Sequence, residues 1–102
     1  MTWNDIIDHL MPELSPTDWK IASYLWDATD QGTISITRTH GNIAHQTGLS
    51  RATVIRSLWR LKTKGIISVA VPEGSGGTDP LIYEWRWQKE EYDTANPQIK
   101  SP

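Results

Sequence analysis

The 102-residue sequence contains no cysteine and no phenylalanine, and residues 31 to 72 contain no acidic side chain. Each absence excludes something. Without cysteine there is no disulfide, no thiol chemistry and no cysteine zinc site, which fits a cytoplasmic setting. Met1-Thr-Trp-Asn-Asp carries no basic stretch ahead of an apolar one, so a secretory leader is not expected. No run approaches the roughly 18 consecutive apolar residues that a membrane-spanning helix needs. Two of the six prolines lie at 97 and 102. The missing phenylalanine is offset by six tryptophans, a choice for which we have no physical account.

The acid-free centre gives the chain its charge pattern. Residues 1 to 30 hold six acids and one base, residues 31 to 72 hold six bases, and residues 73 to 102 hold six acids and three bases. The formal net charge of −2 therefore conceals a basic middle between acidic ends. Such a block is the charge footprint of phosphate binding, although a merely solvated basic helix face would look the same. The length fits one domain with a core of its own.

Within the basic block, the stretch from Thr39 to Gly65 reads as helix, tight turn, helix and glycine stop. Thr39 is a candidate N-cap, and Gly48 stands where a left-handed residue ends a helix. Ser50 is the next candidate cap, and Gly65 follows a last turn carrying Lys62 and Lys64, cations that suit a helix C-terminus. Val54, Leu58 and Leu61 recur at i, i+4 and i+7 and form one apolar stripe. Ala52, Thr53, Arg56, Arg60 and Thr63 fall on the other side of the wheel. This is a helix-turn-helix whose second helix has an apolar back and a basic, hydroxyl-bearing front.

Upstream, Thr2 and Asp5 have the spacing of a capping box, and Trp3, Ile6, Ile7, Leu10 and Met11 recur at helical spacing, with Pro12 as the stop. This helix either covers the domain's own core or offers its stripe to a second copy. Ser15 and Pro16 open another helix as N-cap and first residue, with Trp19, Ile21, Ala22, Leu25, Trp26 and Ala28 on its apolar face and Thr29-Asp-Gln-Gly as its stop. Residues 33–37 alternate as a short strand that pairs with later ones. Residues 66–71 and 81–87 form two strands around a glycine- and proline-rich loop, a β-hairpin with Leu81, Tyr83, Trp85 and Trp87 on one face. From Gln88 onward the chain turns polar, as a frayed turn or disordered tail.

Ile43-Ala-x-x-Thr-Gly-Leu-Ser-Arg-x-Thr-Val-Ile-Arg-Ser-Leu-x-Arg-Leu-x-x-x-Gly-Ile-Ile resembles the winged helix-turn-helix domains of bacterial, phage and plasmid DNA-binding proteins, among them MarR-like regulators and the DNA-binding domains of some phage and plasmid replication proteins. Leu14-Ser-Pro-Thr-Asp-Trp-Lys is similar to the segment that opens the first helix in that group. The resemblance covers roughly residues 14 to 87. It implies an α+β, mostly α fold: a three-helix core plus a β-hairpin wing, with an extra N-terminal helix at residues 1–13 and a polar tail at 88–102.

In this geometry the second helix, residues 50–64, enters the major groove. Arg51, Thr53 and Arg56 are the candidates for base edges, since arginine bridges guanine O6 and N7 and threonine donates, accepts or touches a thymine methyl. Ser50, Ser57, Arg60 and Lys64 are candidates for the backbone, with Lys64 equally explained by the helix dipole. Arg38, Thr39, His40 and Asn42 suit phosphate contacts at the start of the first helix. The wing loop between Glu73 and Asp79 has no basic residue, unlike many winged domains, so it offers at most backbone amides and the hydroxyls of Ser75 and Thr78.

Enzyme readings find little. Gly74-Ser-Gly-Gly lacks the Lys-Ser/Thr of a phosphate-binding loop, and no Gly-x-Ser-x-Gly occurs. His40 and His45, five apart, face different ways on a helix with no carboxylate nearby, so neither a metal nor another cofactor is expected. The tryptophans read as core except Trp59, which lies off the stripe. The expectation is a sequence-specific double-stranded DNA-binding protein, a transcriptional regulator acting as a homodimer. The alternatives are an origin- or centromere-binding factor of a phage or plasmid and, in another class, a winged-helix protein-interaction module that binds no DNA.

Overall fold

The computed structural model describes residues 2–74 and 80–88. The chain opens with a capping box: Asp5 N donates to Thr2 Oγ1 and Thr2 N donates to Asp5 Oδ2. The helix it starts, α1 (Trp3–Asp5), continues as a π-helical segment (Ile6–Leu10) and a 3-10 turn (Met11–Glu13). Pro12 is accommodated in that last turn, and the chain becomes extended only at Leu14. Ile6 and Leu10 are buried in the protein's own core, while Trp3 lies against Trp19 with ring centroids 5.5 Å apart.

Helix α2 (Pro16–Ala28) begins at Ser15, whose hydroxyl accepts from Asp18 N. It buries Ile21, Ala22, Leu25 and Trp26. Its end is more elaborate than a simple stop. Asp30, Gln31 and Gly32 are three consecutive left-handed residues, with φ of 53°, 57° and 81°. The buried Thr29 hydroxyl holds this turn by donating to Leu25 O at 2.7 Å and accepting from Gly32 N at 3.1 Å. The amides of Thr33 and Ile34 both donate to Thr29 O. With those donors used, the first strand cannot start at residue 33. Strand β1 is Ile36–Arg38, shorter and later than the alternation suggests, with Ile36 buried and Ile34 exposed.

Helix α3 (His40–Thr47) and helix α4 (Arg51–Thr63) follow, joined by a turn in which Gly48 has φ 75°. Strands β2 (Ile67–Ala70) and β3 (Leu81–Trp85) pair antiparallel, with Val69 opposite Tyr83, and form the hairpin. Strand β1 pairs antiparallel with the other edge of β3, placing Arg38 opposite Leu81, so the sheet order is β1-β3-β2. The sheet is closed onto the helices by Tyr83, Trp85 and Trp87, all buried. Trp85 meets Trp26 of α2 edge-on at 5.3 Å and donates its indole N–H to Trp87 O. The result is an α+β, mostly helical winged helix-turn-helix with an additional N-terminal helical segment. No helix among the described residues is long and apolar enough to cross a membrane. The expected polar tail lies almost wholly outside the described residues.

Candidate nucleic-acid interface

The two helices of the motif are set by their caps. Thr39 Oγ1 accepts from Asn42 N at 3.0 Å at the start of α3. Ser50 Oγ accepts from Thr53 N at 3.2 Å and donates to Thr53 Oγ1 at 2.8 Å at the start of α4. Each cap satisfies an orphan amide of the first turn.

Helix α4 buries Val54, Leu58 and Leu61, the expected stripe, together with Ser57. Its outer arc carries Arg51, Ala52, Ile55, Arg56 and Trp59, all exposed. Lys62 Nζ lies 5.0 Å from the centre of the Trp59 ring, a cation–π contact. At the start of α3, Asn42 is exposed and Arg38, Thr39 and His40 are half-buried, with Arg38 Nη1 donating to the adjacent Thr37 O. Lys64 is exposed at the C-cap of α4. Ser50 is exposed, and Thr53 is half-buried with its hydroxyl engaged by the cap. Ser75 and Thr78 of the wing lie outside the described residues.

Two of the backbone candidates, Ser57 and Arg60, are turned to α2 and not outward. Ser57 is 0% exposed and donates its hydroxyl to Asp18 Oδ1 at 2.6 Å, so it faces α2 and not the outside. Arg60 turns back along the helix to the same carboxylate. Its Nε lies 3.0 Å from Asp18 Oδ2, and its Nη2 lies 2.8 Å from Oδ1. The long guanidinium stem lets a residue whose Cα is on the polar side reach an inward partner. Burial alone would push the Asp18 carboxyl up, but the hydrogen bonds from Arg60 and Ser57 and the charges of Arg60 and Lys64 outweigh it and hold it below the usual carboxylate value. The same pairing raises the Arg60 guanidinium further. The bidentate pair and the serine hydroxyl thus pin α4 to α2 beneath the outer arc.

Between the outer arc of α4 and the sheet lies an open cavity of about 490 Å³, lined mainly by apolar side chains including Ile55, Trp59, Val69, Leu81 and Tyr83. Among the described residues no group of three or more histidine, cysteine, aspartate or glutamate side chains stands ready to hold a metal. Ile55 is the exposed outer-arc residue that wheel reasoning passed over. The usable signal was its position three after Ala52 and next to Arg56.

A family model for the Crp-like helix-turn-helix domain matches residues 20–74, just over half of the chain. The chain belongs to that family. Its fold is also that of solved winged-helix proteins. NadR, solved in complex with 4-hydroxyphenylacetate, superposes with a TM-score of 0.58 at 13% identity, over 93% of this chain and 59% of NadR. A mutant of S. aureus MepR gives 0.58 at 18% identity, over 97% of this chain and 77% of MepR. The transcriptional regulator PA4135 gives 0.53 at 17% identity, over 91% of this chain and 59% of its own length. The chain thus spans about three fifths of NadR and of PA4135. No curated protein matches the chain by sequence. The Crp-like match and the fold make this a winged helix-turn-helix DNA-binding domain.

Proposed function

We propose that the protein is a sequence-specific double-stranded DNA-binding transcriptional regulator that acts as a homodimer, with α4 in the major groove. The observation that carries this reading is the outer arc of α4. Arg51 and Arg56 are exposed there, and among the described residues neither shares an ion pair with a carboxylate. Exposed guanidinium groups on the first two turns of a helix in the major groove can bridge guanine O6 and N7. Arg51, Thr53 and Arg56 are assigned to base edges. Ser50, Thr39, His40, Asn42, Arg38 and Lys64 are assigned to phosphates around them. Arg60 and Ser57 are assigned instead to holding α4 in place.

Selection of bound sequences from a random duplex pool, with the mass of the complex measured in solution, tests the proposal. The expected outcome is a pseudo-palindromic site with half-sites about one DNA turn, roughly 34 Å, apart and two chains per site. A pool that yields no enriched sequence at low salt overturns it. A selected site that maps to an iteron array and not to a promoter assigns the same interface to replicon control.

A further inference from the structure

The outer arc of α4 is chemically mixed in a way that charge alone does not explain. Trp59 is 65% exposed and Ile55 37% exposed, one turn apart, with Arg56 between them in sequence. Val71, at the end of the strand that faces them across the cavity, is 53% exposed. Exposed apolar side chains that lie together as one patch mark a surface for a partner, whereas single ones do not. Here the partner's character is constrained by charge. Every ionisable residue of α4 is arginine or lysine, and among the described residues Arg60 is the one neutralised by a neighbouring carboxylate. A basic arc with apolar side chains one turn apart suits a polyanion that also presents apolar groups. In a DNA major groove the apolar group that fits this description is the C5 methyl of thymine.

We infer that Ile55 and Trp59 are specificity-determining residues that read thymine methyl groups, so that the protein's site is defined by methyl contacts as well as by arginine–guanine pairs. This rests on the DNA-binding reading above and deepens it. Arg51 and Arg56 fix α4 in the groove through hydrogen bonds. Ile55 and Trp59, on the side of the helix toward the wing, then meet the methyl edge of the pairs beside those guanines.

Replacing thymine by uracil removes the methyl and leaves the hydrogen-bonding edge intact, which gives a direct test. Affinity is measured for the selected duplex and for the same duplex with uracil at its thymines. The proteins compared are wild type, Ile55→Ala, Trp59→Ala and the double variant. Both side chains are solvent-exposed, so the variants keep the fold, which circular dichroism verifies. Wild type is expected to lose about fourfold per methyl contacted, the equivalent of burying one methyl-sized group. The double variant is expected to bind the two duplexes equally while keeping the wild-type dependence on salt. Equal affinity of wild type for both duplexes, alongside salt-dependent binding, overturns the methyl reading and leaves DNA binding standing. A full uracil penalty retained by the double variant also overturns it. Absence of binding to any duplex overturns both readings together. Unchanged affinity of Trp59→Ala for every duplex overturns it too.

Discussion

Arg60 of α4 and Asp18 of α2 form a two-point ion pair across 42 positions of sequence, with Ser57 as a third hydrogen-bond partner of the same carboxylate. The carboxylate is buried and the guanidinium is partly exposed. The pair is therefore worth more than a surface salt bridge, and its loss is felt mainly through the buried member.

Asp18→Ala removes the acceptor that both α4 side chains share and is expected to cost about 1.5–3 kcal/mol, the range for hydrogen bonds to a charged group. Arg60→Ala leaves the carboxylate buried with only Ser57, and is expected to cost about 1–2 kcal/mol after allowance for the exposure of the guanidinium. Urea unfolding of the two variants and wild type measures both, with unchanged m values as the sign that only stability has moved.

The same pair sets an acid limit. The Asp18 carboxyl is held below its ordinary value in the folded protein. Its contribution is therefore complete above the unfolded-state value of about 3.9 and is lost as pH falls through the lower folded value. The difference in unfolding free energy between wild type and Asp18→Asn is expected to be constant from pH 7 to about pH 5 and to shrink below about pH 4. A difference that stays flat down to pH 3 contradicts this.

Charge removal on α4 is expected to separate by position. Arg51→Ala and Arg56→Ala each weaken binding to the selected site by about 1–3 kcal/mol and relax the preference at one base pair. Lys64→Ala weakens binding to all duplexes alike and lowers the salt slope by about one. Arg60→Ala leaves the slope at its wild-type value, because its charge is already paired. Titrations at four or more salt concentrations distinguish these outcomes.

Two glycines with positive φ are expected to respond unequally to alanine. A Cβ on Gly32 meets Trp85 Cδ1 at 3.1 Å and Trp26 Cζ3 at 3.3 Å, whereas on Gly48 its nearest neighbour is Lys20 Nζ at 3.9 Å. Gly48→Ala therefore carries the left-handed penalty alone, about 1 kcal/mol. Gly32→Ala adds crowding between two core rings and is expected to cost about 2–4 kcal/mol. Thermal unfolding orders them, with several degrees of Tm per kcal/mol at this size.

The parts of the fold that local chemistry dictates were legible in the sequence. Thr2, Ser15, Thr39 and Ser50 each cap the helix their spacing announces, and Gly48 takes the left-handed conformation that ends α3. The stripe of Val54, Leu58 and Leu61 is the buried back of α4. What escaped depends on contacts distant in sequence. Arg60 lies on the polar side of the wheel, and no sequence spacing reveals that Asp18 waits beneath it. Ser57 was partly readable, since it lies three residues after Val54 and four before Leu61, on the stripe itself. The late start of β1 was hidden because two non-glycine residues, Asp30 and Gln31, adopt left-handed backbone and take the following amides into the turn.

Strand β3 is held on both edges, by β2 within the hairpin and by β1 from the helical side. Arg38, at the end of β1, is opposite Leu81 and one residue before the Thr39 cap of α3. The base of the wing and the entrance to the DNA-reading motif are consequently hinged to a single strand. A shift of the hairpin is therefore passed through β3 and β1 to the start of α3, which couples the two parts of the domain through the sheet.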